Sequence, residues 1–81
     1  MNLERAAMKG RLAEAKHEYL DKTNKAKGLC DSIKMQLNYD LTTIEDMEMA
    51  ITVQVFDELA QTYAEILGLK TKIERLEKEL R

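Results

Sequence analysis

The stretch ITVQVF, Ile51 to Phe56, decides the fold of this chain. Ile51, Val53 and Val55 alternate with Thr52 and Gln54, and read alone the segment is a strand. No other segment alternates with period two, so a strand here would lack a ladder partner and leave its backbone groups unpaired. β-branched residues carry only a mild helix penalty, which packing routinely overrides. The segment therefore reads as helix with two apolar faces. At about 100° per residue, Met49, Val53 and Phe56 share one side. Ile51 and Val55 lie around the cylinder beside Leu59 and Ile66.

Outward from this segment the pattern stays helical. Met49, Val53, Phe56, Ala60, Tyr63 and Leu67 recur in fours and threes, and Ile66, Leu69, Ile73, Leu76 and Leu80 do the same. Upstream, Met8, Leu12, Ala15, Tyr19, Ala26, Leu29, Cys30, Ile33 and Leu37 form one stripe, interrupted by Lys22 in the polar DKTNK. Between the two patterns lies NYDLTTIED, whose Asn, Asp and Thr side chains bond nearby backbone and favour turns and caps. Thr42 and Glu45 have capping-box spacing and Asp46 is a further candidate N-cap, so the second helix is expected to start between Thr43 and Met47. With no proline in the chain, nothing interrupts either helix. The expectation is all-α: one domain over 1–81, helix 1 over about 3–37, a turn over about 38–46 and helix 2 over about 47–80. Two matched helices of about 50 Å joined by a short turn make an antiparallel, coiled-coil-like hairpin.

One hairpin partner covers one face of helix 2. The hairpin core is assigned to Met49, Val53, Phe56, Ala60 and Tyr63, with Leu29 and Ile33 opposite. That leaves Ile51, Val55, Leu59, Ile66 and Leu69 for a contact between copies, forming a homodimer and a four-helix bundle, with higher oligomers or a foreign helix as alternatives. Charge supports the hairpin. Glu45, Asp46, Glu48, Asp57, Glu58 and Glu65 form an acidic run without a base, and Lys22, Lys25, Lys27 and Lys34 face it across the turn. In that register Gly28 falls near Phe56, where a missing side chain would make room for the ring; chance placement serves equally well. Tyr39, Leu41 and Ile44 are expected to cap the bundle end rather than to form a docking spot.

Chemistry is harder to find. A net charge of −2 argues against a dedicated nucleic-acid binder. A lone Cys30 excludes an internal disulfide and fits a reducing cytoplasm, and on the stripe it reads as a small core residue. The first residues lack the apolar run of a signal peptide, and no stretch approaches the ~20 apolar residues that span a bilayer. The chain is expected to be soluble and cytoplasmic. Glu14 and His17 have the E-x-x-H spacing of di-iron carboxylate bundles, with Glu18 and Asp21 on the same face. Ala15 and Tyr19 define the apolar side, so Glu14 and His17 read as a solvated face and no metal or cofactor is expected. No phosphate loop, zinc spacing or Ser-His-Asp set is present, and no enzyme is expected. Lys9, Arg11 and Lys16, with Lys70, Lys72, Arg75, Lys78 and Arg81, form a mildly basic tip. Lys70, Lys72, Arg75 and Lys78 are its candidate nucleic-acid contacts. Glu74, Glu77 and Glu79 are interleaved there, which favours a salt-bridged surface.

The acidic Ile44-Glu45-Asp46, then Ala50, Gln54, Glu58-Leu59-Ala60 and the heptad tail from Ile66 to Leu80, resemble a small family of Mu-like bacteriophages and prophages. Its members are short helical accessory proteins of unassigned activity. The likeness covers about the second half of the chain. It implies a phage or prophage origin, hence a host cytoplasm, and brings no catalytic residues. The expected function is a non-enzymatic, self-associating interaction module. The alternative is a nucleic-acid-associated accessory protein using the basic tip.

Overall fold

The computed structural model describes residues 2–81; Met1, the first residue of the expected domain, lies outside them. Two long helices, α1 (Asn2–Gln36) and α2 (Met49–Leu80), fold back on each other as an antiparallel hairpin. The result is a rod of 64 × 15 × 15 Å, and no strand occurs among the described residues. ITVQVF is helical throughout.

The seam follows one unbroken heptad ladder on each helix. On α2 the buried and half-buried positions are Thr52, Val55, Leu59, Thr62, Ile66, Leu69, Ile73, Leu76 and Leu80. On α1 the ladder runs Met8, Leu12, Ala15, Tyr19, Lys22, Ala26, Leu29, Ile33 and Gln36, with Thr23 and Ser32 half-buried beside it. Alternating steps of three and four keep a straight seam facing its partner over the full length. Ala15, 2% exposed, lets the helices approach closely in the far half of the rod. Ion pairs cross the seam in this register, from Lys22 to Glu65 (2.6 Å), Lys25 to Glu58 (3.2 Å) and Lys16 to Glu77 (4.0 Å). The Arg5 guanidinium donates to the Leu80 carbonyl at 2.6 Å, satisfying an end group that α2 leaves open.

This seam exchanges the two faces of α2. Val55, Leu59, Ile66 and Leu69, expected between copies, pack inside the hairpin, whereas Ile51 is exposed. Met49, Val53, Phe56, Ala60 and Tyr63, expected in the hairpin core, are exposed. The reason is continuity. Ile66 to Leu80 must face α1 at the far end, and stepping that ladder back by fours and threes leads through Thr62, Leu59 and Val55 to Thr52. Reaching Tyr63 and Phe56 would require a jump of one residue, a rotation of about 100°, in the middle of the helix. Two threonines in the seam are tolerated because each hydroxyl is satisfied within its own helix. Thr52 Oγ1 donates to the Glu48 carbonyl at 3.1 Å and Thr62 Oγ1 to that of Glu58 at 2.8 Å.

The connection differs from expectation at its end. Asn38 Oδ1 accepts from the Asp40 amide at 3.0 Å and starts the turn. The capping signals in TTIED serve a short 3-10 turn, Ile44–Asp46, where Thr43 Oγ1 donates to Asp46 Oδ2 at 2.8 Å. Met47 is then extended, so α2 begins at Met49, two residues beyond the expected limit. Tyr39, Leu41 and Ile44 are exposed and do not cap the bundle end. A Cβ on Gly28 would meet nothing within 4 Å, so Gly28 makes no room for Phe56, which is exposed.

Candidate functional site

The two flanks of the hairpin are chemically different. In an antiparallel pair the residues just beside the seam on one helix lie next to their equivalents on the other. One flank carries Lys25 beside Glu58, with Lys22 reaching out of the seam to Glu65. Lys22 occupies a ladder position, its stem lying in the seam and its ammonium at the edge. The hydrogen bond to Glu65 raises the Lys22 pKa above its ordinary value, and the carboxylate's charge adds to it. The same hydrogen bond and charge hold Glu65 below the usual glutamate value. This flank is a salt-bridged, solvated surface.

The opposite flank is apolar over its half nearest the turn. Met49, Phe56 and Tyr63 lie beside the seam, and Val53, Ala60 and Leu67 lie one step further round α2. Phe56 is 61% and Tyr63 60% exposed. Ala26, Cys30, Phe56, Leu59, Ala60 and Tyr63 line an apolar groove of about 430 Å³ between the helices. Cys30 is exposed at its edge rather than buried in the core, since Leu29 takes the seam position. Leu37 and Leu20 extend the face on α1. Beyond Leu67 the same positions of α2 become Lys70, Glu74 and Glu77, which ends the apolar stripe. Lys27 and Lys34 border the face on α1, and Asp57 borders it on α2.

The other candidates do not assemble. His17 Nε2 lies 3.4 Å from Asp21 Oδ2 on an exposed turn of α1, and Glu14 is exposed nearby. No cluster of three or more potential metal ligands occurs among the described residues. Lys70 and Lys72 project on opposite flanks of α2, and Arg75 and Lys78 on its outer side, so the four do not form one basic patch. None of the described helices is long and apolar enough to cross a membrane.

The missed signal was the unbroken ladder from Leu80 back to Thr52. It could have been found by requiring one seam for the whole helix instead of ranking apolar positions segment by segment. Comparison with family models, with curated proteins and with solved structures finds no match to this chain.

Proposed function

We propose that this chain is a non-enzymatic helical interaction module that associates with itself, two hairpins making a four-helix bundle. The observation that carries this reading is the apolar face of Met49, Val53, Phe56, Ala60, Tyr63 and Leu67, left in water by the hairpin. Each large side chain buried there gains about 1.5–3 kcal/mol. Surface area points the same way. A compact 9.4 kDa monomer exposes about 5,000 Å². This chain exposes 6489 Å². The excess, on the order of 1,500 Å², is about twice the ~800 Å² that each partner of a standard interface removes from water. The likeness of the second half to Mu-like phage proteins supports an accessory role in a phage or prophage, in the host cytoplasm.

Analytical ultracentrifugation at micromolar concentration tests this. The wild type should sediment at twice the chain mass. Phe56→Glu/Tyr63→Glu should sediment at one chain mass with its helical circular dichroism kept, because neither residue is in the seam. A wild type that is highly helical and monomeric would sink the reading.

A further inference from the structure

We propose that the two copies pair with their turns at the same end, the two-fold axis running along the helices, so that α1 of each packs against α2 of the other. This rests on the self-association proposed above and goes on to assign its geometry.

The apolar positions favour this pairing. The Lys22–Glu65 ion pair puts Leu20 near the level of Leu67, and the shared groove puts Cys30 level with Phe56. Under a two-fold axis along the rod, a residue on α1 meets the α2 residues of its own level in the other copy. Leu20, 56% exposed, then meets Leu67 of the second copy. Cys30 meets Phe56 of the second copy, and Leu37 meets its Met49. At these three levels apolar residues face apolar residues.

Charge decides between this arrangement and the reverse. With turns together, Lys27 and Lys34 of one copy flank Asp57 of the other. Further along, Lys9 lies across from Glu74 of the second copy. Among the described residues Lys9, Lys27 and Lys34 make no ion pair within the chain, so they are free to do this. The reverse pairing, with turns at opposite ends, must centre on the apolar stripe, close to Cys30 and Phe56. It brings Lys27 against Lys27 and Asp57 against Asp57. Like charges placed opposite each other at an interface are repulsive. The reverse pairing also leaves about the last 20 Å of each tip without contact, since Cys30 lies about 28 residues from the start of α1 at 1.5 Å per residue in a rod of 64 Å.

Two measurements test the arrangement. A spin label on Lys78→Cys, in a Cys30→Ala background, reports the distance between equivalent sites. With turns together the labels sit across one bundle, within about 30 Å given helix spacings of 8–10 Å. With turns apart they are separated by about 60 Å, from about 20 residues on each side at 1.5 Å per residue. Separately, Lys27→Glu should weaken association several-fold, and Lys27→Glu/Asp57→Lys should restore it. In the reverse arrangement both copies carry the change, so Lys27→Glu replaces one like-charged pair with another and association would not weaken. A dimer with the long distance, or one that Lys27→Glu does not weaken, overturns this geometry and leaves self-association standing. A sample of one chain mass overturns both.

Discussion

Thr62 sits 2% exposed in the middle of the seam, and its hydroxyl donates only to the Glu58 carbonyl four residues back. Replacing it with valine leaves no orphan, because the carbonyl keeps its helical partner, and adds a buried methyl. Thr62→Val should therefore leave stability unchanged or raise it by about 1 kcal/mol. For a domain of this size that is a rise in Tm of up to about 4–8 °C, readable by thermal circular dichroism; a fall would show that the hydroxyl has another partner. One turn along and across the seam, the Lys22–Glu65 pair makes stability depend on pH. Glu65 has a lowered folded pKa, so its contribution is present above the ordinary glutamate value, about 4.3, and fades as pH falls through the lowered one. Lys22 has a raised folded pKa, so its contribution is present below about 10.4 and is lost as pH climbs through the raised one. The two charged ends meet at the solvent edge of the seam, so the effect is small. Urea titrations across pH should show wild type and Glu65→Gln converging at the acid end and differing at neutral pH. A constant difference would mean that Glu65 acts through packing.

At the scale of the element, α2 has one face that holds the hairpin and one that does not. Leu69 is buried against α1, whereas Val53 stands in water. Leu69→Ala should cost about 2–5 kcal/mol, the usual range for a buried leucine, and Val53→Ala should leave the hairpin itself within about 0.5 kcal/mol. The comparison must be made in a dissociated background such as Phe56→Glu, where only the hairpin is being unfolded. Equal losses would mean that the seam runs elsewhere. The helices themselves were legible in the sequence, because apolar spacing of threes and fours and the absence of proline leave no other regular structure. The faces of α2 were less so. ITVQVF offers Ile51, Val53, Val55 and Phe56 as candidates, and local hydrophobicity favours the stripe through Phe56. The geometry of a continuous seam instead selects Thr52 and Val55. The start of α2 was misread because TTIED caps a short 3-10 turn first.

For the whole molecule, a rod with little enclosed core depends on what covers its open flank. If two copies share that flank, dimer formation adds to the free energy of unfolding by mass action, and Tm rises with protein concentration. Melting at 2 and 200 µM, about a hundredfold range, should separate the wild-type midpoints by several degrees and leave Phe56→Glu/Tyr63→Glu unmoved. Coincident wild-type midpoints would count against a shared flank. The metal and basic-tip alternatives were weighed on sequence spacing alone. The fold separates them spatially: His17 lies on a solvated turn, and the lysines of the α2 tail spread around its circumference.

The sequence by itself determined the helices, the hairpin and the presence of two apolar stripes on one cylinder. These follow from short-range periodicity, turn chemistry and the opposed charge runs, all of which are local in the chain or symmetric about the turn. Only the tertiary structure decided which stripe is inside. Both are apolar enough to pack, and what separates them is a condition on the whole length of α2. A seam that starts at Leu80 has to stay on one line until Thr52, and the stripe off that line is left facing water.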